Sequence, residues 1–429
     1  MKKLISVLIA LLMLAALACT GAPAGEQQTE DDGIDWNSMS MDELYEAAKQ
    51  ELLDNPNSSV QVYSTTSDAS SAVARFRKAY PEFEGHIEYI SQDTDQIKGK
   101  IEQEYDSGNV NADVVIVKDS SGEIYNELVL DNILKIFYPE FVTKHISADL
   151  LSFGLPLYST FNPWFYNTEY YPDGVPIESW WDIVEGYNVD TKSYVDANGN
   201  NTQKWRIYTK DVTNPSYAAL WAQLIADGDL LAEQYEKQFG KPLEYTYTEF
   251  LDTTGFMYLP ENNAGVELFW RFTQMNMTAL PDGDAVVEAV DNSSLEGTKF
   301  YGPTLGLCSA SKIDNVKMGM HIAWVTGLSP YTAQNAAACS YVAGGCDNPA
   351  GARLFIAFIM GGEDGYSGCY QYFDKLGHWS VRDDVVYEKA GIAYEDVGLK
   401  SPDFEGIYQN YPNIKQYWIK WTSIAGKAK

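Results

Sequence analysis

Hydroxyl side chains and lysines placed just past the ends of strands are the residues of this chain best suited to chemistry. That chemistry is the grip of an oxyanion. The stretch Val60-Gln61-Val62-Tyr63-Ser64-Thr65-Thr66-Ser67-Asp68 reads as a short buried strand that stops at a run of hydroxyl and acidic residues. Residues 69–76 then read as a helix. Free N–H groups and the positive end of the helix dipole would face the turn, and Ser64, Thr65, Thr66 and Ser67 would add donors. Ser67 or Asp68 acting only as an N-cap is the plainer alternative. Lys118 directly follows the apolar run 112–117 and would supply an ammonium, although a solvated surface lysine reads the same way. Asn214-Pro215-Ser216 opens a further helix, with Ser216 and Tyr217 in its first turn, and Ser309 and Ser311 follow the run 304–307. Ordinary turn chemistry is the alternative for the last two.

These residues need elements to hold them at one place. Ser40 and Glu43 form a capping box that starts a helix carrying Leu44, Ala48 and Leu52. Residues 86–90 make a second strand, Asp93 caps the helix after it, and the apolar run 112–117 suits a strand buried on both faces. A helix is expected from Ser120. Strand and helix thus alternate three times within about 70 residues, which predicts an α/β fold with a parallel sheet and ligands at the carboxyl ends of its strands. Residues 157–167 are extended and aromatic and suit a hinge, with Tyr158, Ser159 and Phe161 facing a ligand. Beyond it lie a helix from Ser179, a strand at 205–208, a helix at 217–226, a Tyr- and Thr-rich insertion at 235–259, a helix at 284–290, and a helix at 350–360 capped by Asn348-Pro349.

The 429 residues allow two domains, and a formal charge of −30 disfavours nucleic acid and anionic lipid as partners. Met1-Lys2-Lys3 and the apolar run 4–18 have the layout of a secretory signal, too short for the ~20 residues of a membrane span. The run ends Ala16-Leu17-Ala18-Cys19, similar to a bacterial lipobox in which Cys19 carries the lipid. Residues 20–35 are polar and acidic and read as a disordered tether. Four cysteines remain: Cys308, Cys339, Cys346 and Cys369. They permit two disulfides, with Cys339–Cys346 the preferred pair, or buried free thiols; their spacing is not that of a structural zinc site.

The ordered series Asp42-Glu43-Leu44-Tyr45-Glu46-Ala47-Ala48-Lys49, Val60-Gln61-Val62-Tyr63-Ser64, Ala112-Asp113-Val114-Val115, Tyr166-Asn167-Thr168 and Asn348-Pro349-Ala350-Gly351-Ala352-Arg353 resembles the solute-binding lipoproteins of bacterial ABC importers. The branch is the one that includes ferric-iron, thiamine, phosphonate and sugar-phosphate binders. The resemblance implies a type II, two-lobed periplasmic-binding-protein fold with hinge strands between the lobes. Residues 36–158 plus 324–382 would form lobe one, and 159–323 plus 383–429 lobe two. It implies a small-molecule ligand, permease subunits as partners, a monomer, no cofactor and no catalysis, with the protein exported and lipid-anchored at the outer face of the cytoplasmic membrane. Iron binders of this branch use His, Glu and a Tyr-Tyr pair where this chain has Ser67, Lys118 and Ser309-Ala310. Ferric iron wants hard anionic oxygens, so the resemblance points to an organic anion, phosphorylated or phosphonate, with ferric iron as the alternative. In those binders a helix-start serine holds a synergistic anion, and Ser216 with Tyr217 stands there.

A carbohydrate-acting hydrolase is the rival from another class, suggested by the aromatic content of 14%. It would need placed carboxylates or an activated nucleophile, and no G-x-S-x-G, HExxH or P-loop is present. His86, His145, His321 and His378 are isolated in sequence and suit core or surface roles. A surface adhesin or sensor on the same fold is a third reading.

Overall fold

The structure is a computed structural model that describes residues 33–210, 215–368 and 370–427. Cys19, with the signal and most of the tether, and Cys369 lie outside the described residues. The chain opens with α1 (Met41–Asp54), whose capping box forms as expected: Ser40 Oγ accepts from the Glu43 amide while Glu43 accepts from the Ser40 amide. Then come β1 (Val60–Ser64), α2 (Asp68–Ala79), β2 (Ile87–Ser91), α3 (Thr94–Ser107) and β3 (Val114–Val117). Both β2 and β3 pair in parallel with β1, which is the expected alternation. The first sheet runs β2-β1-β3 and then adds β12 (Ala338–Ala343) antiparallel to β3. β4 (Leu134–Lys135) and β5 (Leu155–Tyr158) both pair with β12.

The alternation of side chains along β3 divides its residues between two cores. Val114 and Ile116 enter the core on one face of the sheet, with Val62, Leu155, Tyr158 and α8 (Pro349–Ile359). Val115 and Val117 enter the other, with Tyr63, Ile97, Cys339 and Tyr341. All four are fully buried, each stabilising by roughly 1.5–3 kcal/mol. The period of two then carries Lys118 toward the first face and Asp119 toward the second. The helix expected from Ser120 starts later, as a wide turn at Ile124–Val129. Gly122, at φ +77°, first turns the chain, and the Asp119 carboxylate accepts the Tyr125 N–H at 2.9 Å.

The second sheet has the order β10-β6-β9-β7-β8, built from β6 (Trp164–Asn167), β7 (Arg206–Thr209), β8 (Met277–Ala279), β9 (Thr304–Leu307) and β10 (Ile322–Trp324). Its main core joins α4 (Pro215–Ala226), α5 (Gly228–Phe239), α6 (Ala264–Thr273) and the tail helix α9 (Phe404–Lys427). On its other face Phe165 and Ile322 pack with Val286 and Val290 of α7 (Gly283–Asp291). Trp164, Trp180, Trp205, Trp221, Trp270 and Trp421 are all fully buried. Much of the aromatic content is therefore core of this lobe. The region treated as an insertion is partly α5, which carries Tyr235.

The chain passes between the lobes at 159–163, again at 325–337, and finally through β13 (Leu399–Lys400), which pairs with β11 (Ala333–Gln334). The preferred Cys339–Cys346 disulfide is not formed; Cys308, Cys339 and Cys346 are free thiols. The strand rises about 3.3 Å per residue, so it carries Cys339 about 13 Å from Ala343, and Cys346 sits in the turn beyond that end. A bridge needs Cα atoms within about 7 Å.

Candidate functional site

The carboxyl ends of β1, β3 and, beyond β12, β5 lie along one edge of the first sheet, and the residues just past them make a polar face between the lobes. Ser64 is fully buried and uses its hydroxyl locally, accepting from the Thr66 amide at 3.1 Å. Thr65 is held to β3 by its amide, which donates to the Ile116 carbonyl at 3.0 Å. Ser67 is the N-cap of α2 but makes no side-chain cap hydrogen bond. By contrast, the amides of Ala350 and Gly351 at the start of α8 donate to the Glu51 carboxylate at 2.7 and 2.9 Å. That helix end is filled by a protein anion; at Ser67 the expected free N–H groups are instead turned back on the chain, Asp68 donating to Thr66 Oγ1 at 3.4 Å, and Ala69 and Ser70 to the carbonyls of Thr66 and Ser67 at 3.2 Å.

Lys118 stands beside this turn with its ammonium 5.6 Å from the centre of the Tyr158 ring. Tyr158 also stacks on His378, 4.2 Å between ring centroids. Lys118 forms no ion pair among the described residues. Lost hydration pushes its pKa down to about 8, opposed by the charge of Asp68. Asp68 itself is taken by Lys375 at 2.5 Å. His378 is buried, its Nδ1 3.1 Å from the Phe373 carbonyl; burial, and then the Lys118 charge, push its pKa down to about 4. At neutral pH the face thus holds one desolvated cation, a neutral imidazole, a phenol and several hydroxyls. Such a set attracts an anion, because charge-assisted bonds to an oxyanion are about twice as strong as neutral ones.

The second lobe brings up Ser216, at the start of α4, whose hydroxyl lies 3.4 Å from that of Ser120 across the cleft. Ser309 and Ser311 sit at the end of β9, 3.1 Å apart, and the Ala310 amide between them donates to the hinge carbonyl of Phe161. A side chain at Gly377, next to His378, would strike Ala310, so this loop packs against the His378 segment. Lys210, directly after β7, also has no ion-pair partner among the described residues, and its charge is felt at Cys308. The lobes touch further out, where Tyr408 donates to Glu127 at 2.9 Å.

Thr66, Ser67, Lys118 and Tyr158 are brought together. Three other expectations land elsewhere. Ser159 is buried in the hinge, bridging Trp379 by its backbone and accepting from Asn335 Nδ2 at 3.0 Å. Tyr217 is buried in the second-lobe core beside Cys308. Phe161 packs against Trp324 and Trp379 at the junction of the lobes. His378 was legible only as an isolated histidine: no local pattern marks it, and the pairing of Trp379 with Ser159 is what brings it to Tyr158. Lys210 did carry a signal, since like Lys118 it is a lysine directly after a strand.

No family model and no curated protein matches this chain. Solved structures do. Iron-bound HitA of Pseudomonas aeruginosa superposes with a TM-score of 0.57 at 12% identity, covering 84% of this chain and 99% of its own. AfuA of Actinobacillus pleuropneumoniae, a periplasmic binding protein with fructose-6-phosphate bound, gives 0.54 at 14% identity over 86% and 99%. The Atu4243–GABA receptor gives 0.56 at 13% identity over 85% and 97%. At such identities the likeness is one of fold. The chain has the two-lobed type II fold of the periplasmic substrate-binding proteins of transporters, as its sequence resemblance implied.

Proposed function

We propose that the chain is the substrate-binding component of an ABC-type importer and captures a small organic anion, phosphorylated or phosphonate, between its lobes. The observation that carries this reading is Lys118: a desolvated ammonium at the carboxyl end of β3, without an ion-pair partner among the described residues, beside an N-terminal helix end whose cap hydroxyl is unused. Hydroxyls of Thr66 and Ser67 on one lobe, and of Ser216, Ser309 and Ser311 on the other, would complete the grip as the lobes close. The likeness to a fructose-6-phosphate-bound binding protein supports it. The likeness to iron binders does not favour iron here, because Lys118 would repel a ferric ion and hydroxyls offer it no charge. Export, a lipid on Cys19, a monomeric state and delivery to permease subunits belong to the same reading. It describes a binding protein and includes no catalytic step.

A thermal-shift screen of the purified mature chain tests it. Ligands that bind only the folded state raise the melting temperature, by about 2.7 kcal/mol of stability at a hundredfold excess over Kd. Sugar phosphates or phosphonates should shift the transition and ferric citrate should not. A shift with iron alone would overturn the anion reading.

A further inference from the structure

On the opposite face of the first sheet, Asp119 lines a second pocket. It is closed by the hinge residues Gln334–Ala337 and by Phe404 at the start of α9, so it too lies at the seam of the lobes. The Phe404 ring meets Phe153 edge-on, 4.5 Å between centroids. The enclosed space is about 30 Å³, enough for one small ion or water.

Two residues that line this pocket each carry a buried oxygen without a partner among the described residues. Asp119 is 6% exposed; Oδ2 accepts the Tyr125 amide, while Oδ1 has no hydrogen bond among the described residues. Asn335 is 2% exposed; its Nδ2 is spent on Ser159, while its Oδ1 has no partner either. The lining holds a second carboxylate, Asp149, and no basic residue. Aromatic rings and alanines make up much of the rest. Leaving a buried acceptor unsatisfied costs about 1–3 kcal/mol, and more when it is charged. Two such acceptors, one of them an acid without a counter-ion, ask for a cation that donates hydrogen bonds. Among the described residues no three acidic, histidine or cysteine side chains come close enough together here to hold a metal ion.

We propose that this pocket is a second binding site, for a small primary ammonium group held by Asp119 Oδ1 and Asn335 Oδ1. Lys118 and Asp119 leave β3 toward opposite faces, so the two sites draw on different charges, and they adjoin at Ser120, which lines this pocket and lies 3.4 Å from Ser216. Both lobes and the hinge contribute to it, so an occupant favours the closed arrangement.

Calorimetric titration of the full mature chain with methylammonium chloride tests this, with tetramethylammonium chloride as the control of equal charge and no N–H. Wild-type protein should bind methylammonium saturably and at least tenfold more tightly than tetramethylammonium, and Asp119→Asn should weaken methylammonium at least tenfold. Equal affinity for the two cations, or no saturable binding, would overturn the proposal and leave the pocket to a buried water. Unchanged affinity in a folded Asp119→Asn would overturn it as well. Should that variant fail to fold, the wild-type selectivity decides.

Discussion

Lys118 and Asp119 are neighbours in sequence, yet they occupy regions of opposite character. One leaves β3 toward Tyr158 and His378, and burial drives its pKa down to about 8. The other leaves toward Cys339 and the hinge, and burial drives its pKa up to about 6 against the pull of three backbone amides. Neither side chain has an ion-pair partner among the described residues, and their charges do not meet because the pleat sends them apart. Desolvating a charge without pairing it is costly. The chain carries that cost twice at one strand end, once for each sign. Glu267 and Arg271, also buried, show the other arrangement, an ion pair of 2.7 Å within one helix. Glu267 and Arg271 neutralise each other inside the lobe, whereas the two charges at the end of β3 have no ion-pair partner among the described residues.

The largest expected effect separates the two regions outright. Lys118→Ala should weaken binding of the anion found in the ligand screen by more than tenfold, consistent with roughly 1.5–3 kcal/mol for a charged hydrogen bond. The same variant should leave methylammonium affinity within twofold. Calorimetry on both ligands checks this; equal losses would mean that the two faces act as one site.

A smaller effect comes from pH. The Lys118 ammonium is present below its pKa of about 8 and is lost above it. A phosphate monoester is already a dianion above pH 7. Affinity should therefore be level from pH 7 to about 8, then fall toward a limit of about tenfold per unit as pH rises further. Lys118→Ala should show a flat profile over that range. A wild-type profile that stays level to pH 10 would remove Lys118 from the site.

The smallest effect concerns Ser159, which belongs to the hinge by its contacts. Ser159→Ala leaves the Asn335 amide without its acceptor and should destabilise the fold by about 1 kcal/mol, read from the denaturant midpoint. Anion affinity should change less than twofold. A tenfold loss would return Ser159 to the ligand.

Much of the fold was legible because its signals are local. The capping box at Ser40, the strand–turn–helix unit at residues 60–79 and the wholly apolar β3 each depend on residues close together in the chain. So does the position of Lys118 at a strand end. The aromatic content could not be assigned in the same way, since a tryptophan reads alike in a cleft and in a core. Six of them proved to be fully buried. The cysteines misled for a related reason. A seven-residue spacing suits a loop, but β12 is extended and takes Cys339 away from Cys346.

By itself, the sequence determined which segments become strands and helices, and it put hydroxyls and a lysine at their carboxyl ends. Those outcomes rest on side-chain period, capping and burial over a few residues. The tertiary structure alone decided which of these residues meet. His378 reaches Tyr158 through a hinge pairing that spans 220 residues between Ser159 and Trp379. The unsatisfied oxygens of Asp119 and Asn335 share one pocket only because β3, the hinge and the tail helix converge there. Contacts of that range depend on how whole elements pack, and no local pattern encodes them.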